Sequence, residues 1–140
     1  MVMQQKPDFS GEWLLNRQAS TLSPGADAVR TGVVRIEHRD PKFRYQAEFV
    51  SDTGTVKPEF ELMTDEWKAD RAQEEMTTGS SLRWEGDALL FTYAGSELKI
   101  SFRYELIDAG RRLRAVEQLR GSGRSHDNVW IFDRASASSL

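Results

Sequence analysis

Apolar and polar residues alternate along most of this chain. In one run Phe43, Tyr45 and Phe49 share a face, and the residues between them are mainly polar or charged. A period of two places successive side chains on opposite faces of a β-strand, so the pattern predicts half-buried strands. The same alternation, or a short apolar run, predicts strands at 11–16, 33–39, 42–49, 56–62, 81–85, 88–93, 98–106, 112–120 and 128–134. No long segment repeats its apolar residues at a helical period.

Turn-forming residues separate these strands. Asp40-Pro41, the Asp52 to Gly54 stretch and Gly86-Asp87 are examples, and each favours a tight connection. Short strands with turns every few residues predict a sequential antiparallel meander, and a twisted meander tends to close. We therefore predict an all-β fold, a single up-and-down antiparallel barrel of about 8–10 strands. Segment 66–75 is interpreted as a weak strand, with a charged surface helix as the alternative.

The connection between the first two strands, residues 17–31, is longer than a hairpin loop. Ser23-Pro24 resembles a helix start, with a capping hydroxyl followed by proline in the first helical position. A short helical turn over 26–30 or a plain surface loop are both consistent with this sequence. Across one end of a barrel, the segment would form either a lid over a cavity mouth or simply part of the surface.

Length and composition favour one globular domain. The chain has 140 residues, 39% of them hydrophobic, and a formal charge of −3. We predict disordered ends at 1–8 and 135–140 and a barrel domain at 9–134. No apolar run approaches the ~20 residues of a membrane helix. The slightly acidic balance gives no indication of nucleic-acid binding, and the absence of cysteine excludes disulfides and thiolate sites.

The stretch Asp8-Phe9-Ser10-Gly11-Glu12-Trp13 resembles the start of lipocalin-like barrels of the calycin superfamily, which carry a Gly-x-Trp signature in their first strand. Three further pieces, at 36–42, 83–89 and 129–134, are similar to a group of small bacterial proteins of uncharacterised role. The resemblance implies a barrel of the lipocalin or fatty-acid-binding kind whose base is closed by Trp13. The 17–31 connection is shorter than the helical lid of fatty-acid-binding proteins.

The inward faces of the predicted strands are rich in aromatic rings. Such walls with a few polar groups are typical of a site for an apolar small molecule, although a solid core would have the same sequence pattern. The predicted ligand-binding residues are Trp13, Phe43, Tyr45, Phe60, Phe91, Tyr93, Phe102, Tyr104, Glu117 and Trp130. A buried tyrosine hydroxyl needs a partner, which a ligand, a neighbouring side chain or water can provide.

Glu117 is the most informative polar candidate. It shares a strand face with Leu113, Ala115 and Leu119, which indicates an inward side chain. A buried carboxylate must pair or titrate at a raised pH, and it would suit a general base or an anchor for a ligand cation. An ion pair with a neighbouring arginine, or an exposed position, are the structural alternatives.

Other chemistry is weakly indicated. His38 and His126 are the only histidines, and each stands near a predicted strand end, where a surface position is expected. Their spacing fits no short metal-ligand motif, so we predict no metal and no cofactor. The arginines at 111, 112, 114, 120 and 124 could form a local anion site or simply a solvated face. No phosphate loop, dinucleotide turn or nucleophile elbow occurs.

The sequence thus supports a barrel that binds a small hydrophobic or amphipathic ligand in its interior without catalysis. Two alternatives stay open. One is a barrel enzyme of isomerase, cyclase or hydrolase type with Glu117 as its acid/base, and the other is a solid-core structural or interaction domain. The expected partner is a small hydrophobic molecule, with no nucleic acid and no membrane span. Either a monomer or a homodimer is expected, either cytoplasmic or exported with its signal removed.

Overall fold

The computed structural model describes residues 6–69, 79–95, 97–121 and 123–135. Within them, eleven antiparallel strand segments and one 3₁₀ turn follow each other along the chain. The strands are β1 (Gly11–Leu15), β2 (Val29–Arg39), β3 (Lys42–Ser51), β4 (Gly54–Val56), β5 (Glu59–Met63), β6 (Glu66–Ala69), β7 (Gly79–Glu85), β8 (Ala88–Ala94), β9 (Leu98–Ile107), β10 (Arg112–Gly121) and β11 (Arg124–Arg134). The predicted all-β class and meander order are confirmed.

The strands form a single sheet that curls into a barrel. Its hydrogen-bonded order is β4-β3-β2-β1-β11-β10-β9-β8-β7-β6, and β5 also pairs with β3. The two ends of this order approach each other at Thr64, which bridges Leu82 of β7. Beside it the Asp65 amide donates to the Leu82 carbonyl oxygen at 2.6 Å. An up-and-down barrel is therefore the fold, as the alternation predicts.

The strand expected at 56–62 appears as two pieces, β4 and β5. Phe49 pairs with Val56 and Gln46 pairs with Glu59, so both pieces keep one register against β3. Pro58 lies between them and has no amide hydrogen to donate to a ladder. Its carbonyl oxygen still accepts a hydrogen bond from the Ala47 amide at 2.9 Å. One predicted strand thus continues through a proline interruption.

The connection between β1 and β2 contains one short 3₁₀ turn, Ala26–Ala28. The expected capping by the Ser23 side chain is wrong, because the residue preceding the turn is Gly25 and no side chain caps it. Ser23 contributes its backbone instead, since its carbonyl oxygen accepts from the Asp27 amide at 2.8 Å. Before this turn the segment follows β11, where Thr21 forms a bridge with Val129.

Residues 1–5 and 136–140 carry most of the predicted disordered ends and lie outside the described residues, as does 70–75 of the predicted weak strand. The first part of that strand is β6. Lys6 is described, and its ammonium group donates to the Gly86 carbonyl oxygen at 2.9 Å.

A fully buried aromatic cluster closes the base of the barrel. Trp13 and Phe9 have no exposed surface, and the Trp13 indole N–H donates to the Phe9 carbonyl oxygen at 3.1 Å. The Arg134 guanidinium lies over the Trp13 ring, 4.2 Å from its centre. Phe43 and Leu89 complete this buried layer. Trp13 is therefore fully buried at this end of the barrel.

Candidate ligand cavity

A cavity of about 350 Å³ lies inside the barrel, so the described residues do not pack as a solid core. Eight aromatic side chains form much of its wall: Tyr45, Phe49, Phe60, Phe91, Phe102, Tyr104, Trp130 and Phe132. Its aliphatic lining is Val29, Val34, Val56, Pro58, Leu113 and Ala115, and Glu117 completes it. Val56 is 61% exposed while it also lines the cavity, so the cavity reaches the surface there. This volume lies at the lower end of the range of small-molecule sites, about 300–1,000 Å³.

Contacts between neighbouring aromatic rings hold the wall of the cavity together. Phe60 stacks on Tyr45 with ring centres 4.9 Å apart and on Phe91 with centres 4.7 Å apart. Phe102 lies nearly parallel to Tyr104, at 5.9 Å. These contacts fix the rings against each other, yet Phe60, Phe91 and Phe102 remain partly exposed. Inward-facing rings keep exposed surface because they border the cavity.

Glu117 projects into this cavity from β10. It faces Phe102 of β9 and Asn128 of β11 in the sheet register. One carboxylate oxygen, Oε1, accepts from the Trp130 indole N–H at 2.8 Å and from the Asn128 amide at 3.1 Å. No ion pair joins Glu117 to a described arginine. The inward position predicted from the alternation is correct.

Asn128 fixes the second of these bonds. Its side chain is 5% exposed, and its Oδ1 atom accepts from the Ser23 backbone amide at 2.6 Å. Because the amide oxygen is used in this way, the amide nitrogen faces Glu117. This role of Asn128 was not among the sequence predictions.

Two tyrosine hydroxyls accompany Glu117. Burial raises the pKa of both Tyr45 and Tyr104, and the negative charge of Glu117 raises both further. The two phenols also interact with each other. Both groups therefore stay protonated at neutral pH and can act as hydrogen-bond donors.

The structure places seven of the ten predicted ligand-binding residues around one cavity: Tyr45, Phe60, Phe91, Phe102, Tyr104, Glu117 and Trp130. Trp13 and Phe43 lie in the basal cluster and do not line the cavity. Tyr93 is half-buried on β8, near Gly95, and is also outside the lining. Eight lining residues were not among the predicted ligand-binding residues: Val29, Val34, Phe49, Val56, Pro58, Leu113, Ala115 and Phe132.

Three arginines of the basic cluster form surface ion pairs, which favours the interpretation of this cluster as a solvated face. Arg112 pairs with Asp133 at 2.9 Å, Arg114 with Glu105 at 3.6 Å and Arg120 with Asp127 at 2.7 Å. Among the described residues, no group of three or more His, Cys, Asp and Glu side chains could hold a metal ion.

His38 lies at the base of the barrel, away from the cavity. The expected surface position is right for His126 and wrong for His38, which is 6% exposed. Its ring packs among Phe9, Phe43 and Trp84 because the N-terminal segment folds over the end of β2. Nδ1 accepts from the Phe9 amide at 3.2 Å, and Nε2 has no hydrogen-bond partner among the described residues.

Because His38 is buried at the base of the barrel, we expect the stability of the protein to fall at acidic pH. Desolvation lowers the pKa of His38 below 6.5, and the nearby Asp8 and Asp40 offset this only in part. The unfolded chain therefore binds the proton first, so stability is complete above pH 6.5 and falls as the pH drops through the folded-state pKa. Since one proton is involved, the free energy of unfolding changes by less than about 1.4 kcal/mol per pH unit.

Urea unfolding of His38→Asn and His126→Asn between neutral and mildly acidic pH measures this effect. The free energy of unfolding is expected to depend less steeply on pH in His38→Asn, because asparagine does not titrate in this range. His126→Asn should keep the wild-type slope, since its imidazole is exposed. Equal slopes in His38→Asn and the wild type would contradict this assignment.

The fold and the cavity together define an up-and-down β-barrel with an aromatic interior. Among known structures the chain is similar to a mutant of the fluorescent protein UnaG, with a TM-score of 0.64 and 19% identity over 91% of this chain and 96% of that one. It is also similar to Echinococcus granulosus fatty-acid-binding protein 1, with a TM-score of 0.63 and 11% identity over 91% and 98% of the two chains.

A third similar structure is a zebrafish ileal bile acid-binding protein in complex with cholic acid, with a TM-score of 0.58 and 14% identity over 91% and 98%. At these identities the likeness establishes the fold alone. No protein-family model and no curated protein matches the chain. Among the described residues, no helix has the length and apolar character needed to cross a membrane.

Proposed function

We propose that this barrel binds a small hydrophobic or amphipathic molecule in its interior without changing it chemically. The observation that carries the proposal is the 350 Å³ cavity, which has an aromatic wall and reaches the surface at Val56. Apolar surface buried there contributes about 25 cal/mol per Å² to binding before the costs of association are subtracted. The similar structures that are described as fatty-acid- and bile-acid-binding proteins support the same use of this fold.

Filling the cavity tests the proposal. Ala115 is 2% exposed and lines the cavity on β10, so Ala115→Leu places three further carbon atoms in the space a ligand would use. We expect affinity for the neutral apolar dye Nile red to fall by about tenfold. The leucine would remove contact between dye and wall equal to one or two buried methylene groups, and this loss corresponds to about a tenfold change in affinity. Dye fluorescence titration measures the change.

Val116→Leu is the matched control. Val116 is the next residue on β10, and it faces the outside of the barrel. The control should bind Nile red as the wild type does, and far-UV circular dichroism should show both variants folded. Dye binding that is absent in the wild type, or unaffected by Ala115→Leu, would contradict an interior site.

A further inference from the structure

The cavity has an uneven charge pattern. Among its described lining residues Glu117 is the only charged side chain, and no arginine, lysine or histidine faces it from these elements. The other polar groups there are the hydroxyls of Tyr45 and Tyr104 and the indole N–H of Trp130. A ligand polar group that enters this cavity therefore meets a carboxylate and no described cation.

The Glu117 carboxylate is held on one side and open on the other. Trp130 can only donate, and Asn128 presents its amide nitrogen because its oxygen is bound to Ser23. Both donors contact Oε1. No described residue donates a hydrogen bond to Oε2, so with respect to the described part of the chain this oxygen keeps its acceptor capacity.

We propose that the ligand of this cavity carries a protonated amine at its polar end, which Glu117 Oε2 accepts. This inference rests on the proposed function and names the ligand class. An ammonium group would give Oε2 both a hydrogen-bond donor and a positive charge, neither of which a described residue provides. Hydrogen bonds between charged groups are stronger than those between neutral groups. A fatty-acid carboxylate would instead place a second negative charge beside Glu117 in a region of low dielectric.

Three probes with the same alkyl chain test the ligand class. Decylamine, decanol and decanoic acid are titrated at neutral pH against the barrel loaded with Nile red, whose displacement reports binding. We expect the amine to bind most tightly and the acid most weakly. The amine should exceed the acid by at least about tenfold, the factor that corresponds to a hydrogen bond to a charged group.

The Glu117→Gln variant tests whether Glu117 causes the preference for the amine over the acid. Glutamine keeps an oxygen that Asn128 and Trp130 can donate to, and it replaces the open carboxylate edge by a neutral amide. Amine affinity should fall by about tenfold and acid affinity should rise, so that the preference disappears or reverses. Glu48→Gln removes the same charge from the exposed outer face of β3, and it should leave the preference unchanged.

The outcomes separate the two proposals. Displacement of Nile red by all three probes with equal affinity, or tighter binding of the acid, would overturn the amine assignment and leave the interior site intact. A preference that Glu117→Gln and Glu48→Gln lower equally would reflect net charge and would also overturn the assignment. Failure of the wild type to bind Nile red at all would remove the proposed function itself. If Glu117→Gln does not fold, the wild-type order of amine and acid decides.

Discussion

Replacing Trp13 with alanine is expected to lower the free energy of unfolding by about 3–5 kcal/mol, the range for deleting a buried aromatic side chain. Trp13 is fully buried in the base of the barrel, and its ring carries the Arg134 guanidinium 4.2 Å from its centre. Alanine would leave a void that the surrounding strands fill only in part. It would also leave the Phe9 carbonyl oxygen without its side-chain donor. Urea unfolding followed by circular dichroism measures the change.

Leu14→Ala is the control for this substitution. Leu14 is the next residue on β1 and is 43% exposed, so its loss should change stability by less than about 1 kcal/mol. If Trp13→Ala is too unstable to purify, Trp13→Phe keeps a ring and is expected to lose an intermediate amount. A Trp13→Phe variant as stable as the wild type, or equal losses at positions 13 and 14, would show that Trp13 does not hold the base closed.

Gly121→Ala is expected to destabilise the barrel by on the order of 4 kcal/mol, as backbone strain and steric overlap add to each other. Gly121 ends β10 with φ at +131°, a conformation that side-chain-bearing residues rarely adopt. A Cβ atom there would overlap the Glu97 carbonyl oxygen and lie 2.9 Å from Leu98 Cα. Leu98 begins β9 and Glu97 immediately precedes it, and both contacts are to backbone atoms, so relief requires the start of β9 to move. Urea unfolding midpoints measure this loss.

Gly123→Ala separates the two contributions. Gly123 also has a positive φ, +73°, but a Cβ atom added there meets nothing within 4 Å. It should therefore lose only about 1 kcal/mol, the cost of a left-handed conformation for alanine. Similar losses at positions 121 and 123 would contradict the predicted overlap with β9.

The fold could be predicted because its information is local. Alternation in segments such as 98–106 and turn residues such as Asp40-Pro41 specify strands and hairpins one at a time, and sequential hairpins leave few topologies. The same reasoning gives the inward direction of Glu117, since its strand neighbours Leu113 and Ala115 are apolar. Period two is sufficient wherever one face of a strand is buried.

The shape of the site required distant contacts. Whether inward rings such as Phe91 and Phe102 meet or leave a cavity depends on the curvature of the whole sheet, which no single strand specifies. The burial of His38 depends on Phe9, which lies 29 residues earlier in the chain and folds over it. In the sequence His38 follows Val34 and Ile36 at a spacing of two, and this apolar face is a better guide to its burial than its position near a strand end.

The pairing of Glu117 with Asn128 could have been predicted from the sequence. The two residues lie on either side of the 121–123 turn, and a hairpin centred there pairs them directly. Counting back from the turn would have placed a side-chain amide opposite the carboxylate. The donation from the Ser23 backbone could not be found in this way, since it comes from an irregular connection.

The Asn128 side chain joins the interior of the barrel to its outer connection. The oxygen of its planar amide is bound to the Ser23 backbone and the nitrogen to Glu117. A rotation of the amide that changes one hydrogen bond therefore changes the other. We therefore expect occupancy of the cavity to be coupled to the backbone conformation at Ser23, and such coupling is reciprocal. A ligand that lengthens the Asn128–Glu117 bond would also turn the amide against Ser23, and a change at Ser23 would alter affinity in the cavity by the same factor.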